Sequence, residues 1–260
     1  MRYQSTTGLH RDDIIELCSR IHDVLAGRGI DLKGHRMGLY RQVEITLVLL
    51  RQNMSQTVVA DMFGISQPSV SRIYRRILGI LEVVTMFTGT GLEQSLAQGH
   101  LVLVDGTYIP TGNRPATGQD KANDAGKHHP RCLSVQVACT SRGDLIAVSD
   151  PVPGARHDSA ALELCQWGEV LDNYPGRWVA DTAYIATNAI TPIKKRAGTV
   201  RKDWEKEYNR QVASLHAPVE HAIAQLKNWK ILAKGYRGRL NELPLVISVV
   251  TRLELLRIGW

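Results

Sequence analysis

The first 98 residues carry apolar side chains at intervals of three and four, a spacing typical of amphipathic helices. Serines and aspartates stand where such helices would begin, and glycines stand between them. The N-terminal part is therefore predicted to be all-helical. Its predicted elements are a helix over 14–25 capped by Asp12 or Asp13, a Gly-rich connector over 27–38, a helix over 40–52, and two short helices capped by Ser55 and Ser66.

The two short helices have the arrangement of a helix-turn-helix. Gly64 allows a tight turn between them, and Pro68 fits the first turn of the second helix. The residues predicted to face inward are Val58, Val59 and Met62 on the first helix, and Val70, Ile73, Tyr74 and Ile77 on the second.

The second short helix begins with polar side chains that its core does not need. Helix-turn-helix modules use such a polar start to read the major groove of DNA. Glutamine and arginine can make bidentate contacts to base edges, and serine can contact bases or phosphates. Double-stranded DNA is therefore the predicted partner, and the alternative is an ordinary helical hairpin with a polar face. The predicted DNA contacts are Gln67, Ser69, Ser71 and Arg72, with Arg75 and Arg76 nearer the phosphates.

From Gly99 onward the apolar residues form short, valine-rich runs bounded by Gly, Asp or Pro, which is typical of strands. The change of pattern predicts a helical domain over residues 1–98 and a second domain over residues 99–260. The predicted elements of the second domain are strands at Leu101–Val104, Leu133–Ala138, Leu145–Val148 and Trp178–Ala180, a helix over Ser159–Leu171, a long basic helical region broken near Pro218, and one or two apolar helices over 240–258.

Composition excludes several classes of protein. A hydrophobic fraction of 43% and a charged fraction of 22% are typical of globular proteins. No apolar run approaches the roughly 20 residues of a membrane helix, and the N-terminus has no apolar segment of a secretory signal. The four cysteines form no CxxC pair, so they are predicted to be reduced core residues. We therefore expect a cytoplasmic protein that does not act at a membrane.

The positive charge is concentrated in one stretch of the chain. Residues 194–239 carry 12 Lys and Arg against 4 Asp and Glu, whereas residues 100–193 carry 7 against 10. A solvated surface spreads its charges, while a surface that binds a polyanion concentrates one sign. The distribution favours a nucleic-acid partner over a solvated lysine-rich helix.

Two aspartates follow predicted strands directly. Asp105 comes after the strand that ends at Val104, and Asp181 after the strand that ends at Ala180. If the two strands are parallel neighbours, both carboxylates lie side by side at one end of the sheet. Carboxylates that repel each other are costly to hold together without a cation, so the pair predicts a divalent metal ion. The alternative is that each aspartate only forms a turn.

A third carboxylate is predicted on the basic helix. Glu220 lies beside the apolar stripe Val219, Ala222, Ile223 and Leu226, which would pack the helix onto the sheet. Glu220 could then reach the sheet end while Lys227 and Lys230 face a phosphate backbone. The alternative for Glu220 is an ordinary solvated side chain.

Four segments carry a resemblance to a known family: Val104–Ile109, Pro153–Asp158, Asp181–Tyr184 and Pro218–Leu232. In this order, and after a helix-turn-helix, they resemble the DDE-superfamily transposases of bacterial insertion sequences, the group related to the eukaryotic Harbinger elements. The resemblance covers about residues 9–256. It implies an α/β fold, an RNase H-like mixed sheet with flanking helices, preceded by a small all-α helix-turn-helix domain.

The resemblance also implies a mechanism. Asp105, Asp181 and Glu220 would bind two divalent ions, with Mg²⁺ expected and Mn²⁺ as a substitute, for cleavage of DNA at the terminal inverted repeats and transfer of the ends into target DNA. Asp158 matches another acidic position of the family that assists metal binding, and its alternative is to cap the following helix. Lys127 and His128 lie in a segment that could contact DNA or form a plain hairpin loop. A homo-oligomer on DNA is expected, because two ends must be held together.

The sequence departs from the family at two positions. Ala183 stands where glycine is usual, and His216 stands where arginine is usual. Alanine matters only if the position needs a positive φ, whereas histidine in place of arginine removes a permanent charge. Two other functions therefore stay open, a DNA-binding regulator that has lost the chemistry and a metal-dependent nuclease that does not transpose.

Overall fold

The computed structural model describes residues 3–30, 37–112 and 131–259. Its contacts divide the chain into two compact units, residues 1–89 with 226–260, and residues 90–225. The helices are α1 (Tyr3–Thr6), α2 (Arg11–Gly27), α3 (Leu39–Gln52), α4 (Gln56–Phe63), α5 (Gln67–Val84), α6 (Leu92–Ala97), α7 (Asp158–Leu164), α8 (Trp167–Asp172), α9 (Asp203–Lys227), α10 (Lys230–Ala233) and α11 (Leu243–Arg257). The strands are β1 (Val102–Pro110), β2 (Cys132–Thr140), β3 (Leu145–Val148), β4 (Val152–Pro153) and β5 (Trp178–Val179).

The helix-turn-helix prediction agrees with α4 and α5. Ser55 caps α4 by accepting a hydrogen bond from the amide of Val58 at 3.3 Å, and Gly64 ends α4 at φ 64°, in the left-handed region that favours glycine. The four residues predicted to face inward on α5 are all buried. On α4 the prediction was partly wrong, because Val58 and Met62 are exposed and the helix is buried through Val59 and Ala60.

The C-terminal helices belong to the first unit, whereas the sequence had grouped them with the second domain. Most of α11 is buried, so this helix needs apolar neighbours on several sides, and α5 is one of them. Polar contacts also join the segment to the N-terminal helices. Asn53 donates to the carbonyl of Lys234 at 2.5 Å, and Arg252 donates to the carbonyl of Glu82 at 3.0 Å.

The second unit contains a mixed sheet in the order β3–β2–β1–β5, with β4 paired to β2. The pairs β1–β2, β2–β3 and β2–β4 are antiparallel, and β1–β5 is parallel. A mixed sheet with flanking helices after an N-terminal helical region was predicted and is confirmed. Within the described ranges no helix is long and apolar enough to cross a membrane.

Alternating residues of β1 pack on opposite faces of the sheet, as the two-residue period of a strand requires. Val104 belongs to a buried cluster with Leu162 of α7, whereas Leu103 belongs to a cluster with Val219 of α9. By this alternation Asp105 shares the α9 face, and its neighbour Gly106 shares the α7 face.

Three of the differences from the sequence prediction concern β1, the helix after β4, and α9. β1 continues through Asp105 to Pro110, because its pairing with β2 continues that far. The helix predicted over Ser159–Leu171 is two helices, separated at Gln166, which has a φ of 64°. α9 runs through Pro218 without a break, and core residues Val212, Val219 and Ala222 hold it on both sides of the proline.

Candidate active site

Asp105 lies in β1, and Asp181 lies two residues after the end of β5, the strand that runs parallel to β1. Leu103 of β1 is opposite Val179 of β5. The same register, continued for two residues, brings Asp105 beside Asp181, and neighbouring strands lie about 4.8 Å apart. The predicted juxtaposition of the two carboxylates is therefore present, although Asp105 lies inside a strand rather than after one.

The environment of Asp105 favours the protonated form of its carboxyl group. The pKa of this group is raised from 3.8 to about 6, with burial as the largest cause, and the negative charges of Asp181 and Asp158 act in the same direction. His216 and a hydrogen bond from the Gly106 amide, 2.8 Å from Asp105 Oδ1, act in the opposite direction. A divalent cation would reverse this balance, because it stabilises the ionised form.

Asp181 is held by the turn that follows it. Its Oδ1 accepts a hydrogen bond from the amide of Ala183 at 2.8 Å, which caps the 3₁₀ turn Thr182–Tyr184. Ala183 is not among the described residues with positive φ. The alanine that replaces the usual glycine therefore causes no backbone strain at this position.

His216 attaches α9 to β1 beside Asp105. Its Nε2 lies 3.1 Å from the carbonyl oxygen of Val104. A carbonyl oxygen can only accept, so Nε2 carries a proton and donates it. In this arrangement His216 stabilises the position of α9 beside the carboxylates.

Asp158 approaches the sheet over Gly106, on the α7 face. A Cβ at Gly106 would lie 2.4 Å from Asp158 Oδ1 and 3.4 Å from the hydroxyl of Tyr184, so only glycine leaves room for both. Gly106 is paired with Gln136 of β2, and the Tyr184 hydroxyl donates to the Gln136 side-chain carbonyl. Burial, followed by the charge of Asp181, raises the pKa of Asp158.

Sequence reasoning assigned no role to Gly106, Gln136 or Tyr184. Tyr184 is fully buried, and burial followed by the charge of Asp158 raises its pKa. Gln136 is also buried, although it lies in a strand of mostly apolar residues. A lone amide in an apolar strand and a glycine directly after a candidate catalytic aspartate were the available signals.

Glu220 is not gathered with the aspartates. It is exposed on α9, and its charge is not among the causes that shift the pKa of Asp105 or Asp158. No group of three or more acidic, histidine or cysteine side chains in the described ranges is arranged to hold a metal ion. The donors do fit the chemistry of a hard divalent cation, since carboxylate oxygens are its usual ligands.

The residues predicted to contact DNA lie at the start of α5 and near the end of α9. Gln67 and Arg72 are exposed, whereas Ser69 and Ser71 are partly buried. Gln67 donates to Gln56 of α4 at 2.7 Å, and Arg72 donates to Ser69 at 3.3 Å. The remaining predicted contacts are Lys227 and Lys230, which are partly exposed, and Lys127 and His128, which lie outside the described residues.

Comparison with known families identifies both parts of the chain. Residues 104–254 match the DDE superfamily endonucleases, and residues 35–87 match the helix-turn-helix of DDE superfamily endonucleases. The first match covers more than half of the sequence, so the chain belongs to this family. The predicted resemblance and the predicted helix-turn-helix are confirmed. Endonucleases of this family use divalent metal ions.

Two curated relatives carry transposase names. The chain is 25% identical over 187 residues to a putative transposase for insertion sequence element IS112 of Streptomyces albus G, which covers 70% of this chain and 66% of the relative. It is 30% identical over 189 residues to a probable transposase for insertion sequence element IS702 of Microchaete diplosiphon, which covers 68% and 65%. The matched part is thus just under two thirds of each relative's length. No solved structure matches the chain.

Proposed function

We propose that this protein is a transposase that binds the terminal inverted repeats of its own element, cuts the DNA there and joins the ends to target DNA. The observation that carries the proposal is the proximity of Asp105, in β1, to Asp181, just after the parallel strand β5, in a chain of the DDE endonuclease family. The helix-turn-helix would supply the DNA recognition that such a reaction needs.

We assign residues 99–260 to catalysis, and we assign an RNase H-like fold to the sheet of the second unit. In this sheet β3, β2 and β1 are antiparallel neighbours, and β5 pairs with β1 in parallel. Asp105, Asp181 and Glu220 are the proposed metal ligands, and Asp158 assists from the α7 face. A Mg²⁺ or Mn²⁺ ion held there would activate the attacking oxygen and stabilise the leaving oxygen of a phosphoryl transfer.

The protein's own residues would hold the carboxylates in the arrangement that this reaction needs. The Gly106 amide fixes the carboxylate of Asp105, and the Ala183 amide fixes that of Asp181. His216 ties α9 to the strand beside Asp105, and Val219 packs in the same core cluster as Leu103. Glu220 follows Val219 on this helix and is exposed, so its assignment as a ligand rests on the family resemblance and not on contact with the aspartates.

Strand cleavage is the direct test. Purified protein is mixed with Mg²⁺ or Mn²⁺ and with DNA that carries the sequences flanking its own gene. Wild type should cut at the repeat ends only with metal, and Asp105→Asn should cut about 1,000-fold more slowly, because a metal ion contributes several kcal/mol to such a reaction. Asp172→Asn, which changes an exposed carboxylate of the same unit, is the matched control and should cut normally.

The outcomes separate the alternatives. Cutting followed by joining of the 3′ ends to a second DNA supports the transposase. Cutting without joining favours a metal-dependent nuclease, and specific binding without any cutting favours a regulator. Titration of Mn²⁺ into wild type, Asp158→Asn and Glu220→Gln adds a readout besides activity, and a variant whose Mn²⁺ affinity equals that of wild type loses its assignment as a ligand.

A further inference from the structure

A polar cleft lies between α3 and the start of α5, within the first unit. It encloses a cavity of about 480 Å³. Met37, Ile65 and Ile73 form its apolar lining. The polar side chains that line it are those of Gln42, Ser66, Ser69, Arg72 and Arg76.

The cleft contains two positive charges that the described part of the chain does not neutralise. Arg72 and Arg76 lie one turn apart on α5, where like charges destabilise a helix. Neither forms a salt bridge with a described residue, whereas Arg75, between them in sequence, lies 3.9 Å from Glu242. An anion between Arg72 and Arg76 would remove their repulsion.

Arg76 is held in place by a buried amide. One of its terminal nitrogens donates to the side-chain carbonyl of Gln42, and the Gln42 amide donates to the carbonyl of Met37 at 2.8 Å. Gln42 is only 1% exposed, so this arrangement is fixed by the core. The Nε of Arg76 is buried and has no acceptor among the described residues. A buried donor without an acceptor costs free energy, which a bound oxyanion would recover.

Two hydroxyl groups complete the donor set. Ser66 Oγ lies 2.9 Å from Ser69 Oγ, and Arg72 donates to Ser69 Oγ at 3.3 Å. The side chain of Ser66 forms no capping hydrogen bond with the backbone of α5, so it is not committed to ending the helix. Guanidinium and hydroxyl donors that surround one cavity suit the several oxygens of a phosphate.

We propose that this cleft binds one phosphate group of the DNA backbone. Arg72 and Arg76 contact the phosphate directly, Ser66 and Ser69 donate to its oxygens, and Gln42 positions Arg76. Ser69 and Arg72, predicted as possible base contacts, are thereby assigned to the backbone, which leaves Gln67 and Ser71 to face the bases. This inference rests on the proposed function, because it specifies how the helix-turn-helix holds DNA.

The salt dependence of DNA binding tests the assignment. Affinity is measured by fluorescence anisotropy, over a series of salt concentrations, for two labelled duplexes, one from the DNA flanking the gene and one of unrelated sequence. Loss of one phosphate contact makes the slope of log K against log salt shallower by about 0.9. The Arg72→Gln/Arg76→Gln variant should show this change equally on both duplexes. Arg20→Gln, whose arginine is paired with Glu16, is the control and should keep the wild-type slope.

A second variant distinguishes the loss of a phosphate contact from a folding defect. Arg72 is exposed, so Arg72→Gln alone should keep the unfolding temperature and still make the slope shallower. An unchanged slope in both variants, or a loss confined to the flanking sequence as base reading requires, overturns the proposal. If wild type binds neither duplex, the proposed function fails together with it, whereas binding with an unchanged slope removes only the phosphate site.

Discussion

The start of α5 and the region of the sheet around Asp105 and Asp181 both bring polar side chains together, but the charges of the two regions have opposite signs. At the start of α5 the charges are positive, and Arg72 is exposed to solvent, where repulsion is weak. At the sheet the charges are negative and partly buried, and the pKa of Asp105 is raised to about 6. Burial strengthens electrostatic interactions, so the acidic cluster has much more to gain from its counter-ion than the basic one.

The two regions also differ in how their geometry is fixed. Gln67, Ser69 and Arg72 contact one another or α4 through side chains that can rearrange when DNA arrives. In the sheet, backbone amides hold Asp105 and Asp181. A surface that reads DNA can adapt to its partner, whereas a site that performs chemistry must hold its groups in place beforehand. Substitutions should therefore affect the two regions differently.

Apart from the loss of a proposed metal ligand, the largest expected effect comes from filling the space over Gly106. In Gly106→Ala the new Cβ would lie 2.4 Å from Asp158 Oδ1, so the carboxylate must move. Because this atom is the end of a side chain, the fold should survive with a loss of about 1 kcal/mol in unfolding free energy. Displacement of Asp158 should slow metal-dependent cleavage by about 100-fold. Urea denaturation and the cleavage assay measure the two effects.

A glycine of the first unit provides the matched control. Gly79 lies in α5, and a Cβ there would meet no atom within 4 Å. Gly79→Ala should raise the free energy of unfolding by about 0.5–1 kcal/mol, because alanine is favoured inside helices. It should leave cleavage unchanged. Equal cleavage rates in Gly106→Ala and Gly79→Ala would contradict a positioning role for the space over Gly106.

The next effect concerns pH. The folded chain holds the pKa of Asp105 at about 6, against 3.8 ordinarily, so the folded state binds the proton more tightly than the unfolded state. Without metal, stability should therefore fall as pH rises from about 4 to 6, and the loss is complete above that range. Asp105→Asn should remove this loss and stabilise the metal-free protein at pH 7 by about 2 kcal/mol. Thermal unfolding at pH 4 and pH 7 compares the two proteins.

One outcome of the thermal unfolding measurement would contradict this prediction. A metal-free Asp105→Asn protein that is less stable than wild type at pH 7 would mean that the ionised carboxylate is favourably held, and that the sheet end is not strained by its charge. Asp172→Asn, which changes an exposed carboxylate of the same unit, is the matched control.

Local patterns predicted most elements of this fold, and long-range pairing decided the rest. β3 was predicted with the correct bounds, because its apolar residues alone define it. β1 was cut short at Val104, because Asp105 and Gly106 are poor strand residues and only their pairing with β2 keeps them extended. The grouping of residues 226–260 with the N-terminal helices depends on packing, which no local pattern contains.

The candidate site divides in the same way. Asp105 and Asp181 were predicted together because each follows an apolar run, and parallel pairing then aligned them. The cluster of Gly106, Gln136 and Tyr184 depends on cross-strand register and on a turn, so no local sequence pattern joins its members. The distance of Glu220 from the aspartates is set by how α9 packs, which also lies beyond a sequence pattern.

Tyr184 offers a smaller effect that is specific to the sheet. Its hydroxyl donates to the buried side chain of Gln136, whose Nε2 already has no partner among the described residues. Tyr184→Phe should therefore cost about 1.5 kcal/mol, because a buried carbonyl is left without a donor. Tyr174→Phe, in the same core region, should cost less than about 0.5 kcal/mol. Chemical denaturation of both variants measures these losses of unfolding free energy. Equal losses would contradict a structural role for the hydrogen bond between Tyr184 and Gln136.

The smallest effect separates the two serines that precede α4 and α5. Ser55 accepts a hydrogen bond from the amide of Val58, so Ser55→Ala should lower the free energy of unfolding by about 1 kcal/mol. Ser66 stands at the same position before α5 but contacts the side chain of Ser69 instead, so Ser66→Ala should cost only a few tenths of a kcal/mol. Because Ser66 is proposed to donate to the bound phosphate, Ser66→Ala should lower the affinity for DNA, whereas Ser55→Ala should leave this affinity unchanged. Denaturation and fluorescence anisotropy of both variants measure these differences. Equal stability losses, with no change in DNA affinity, would mean that Ser66 is an ordinary helix cap and that the start of α5 is fixed as firmly as the sheet.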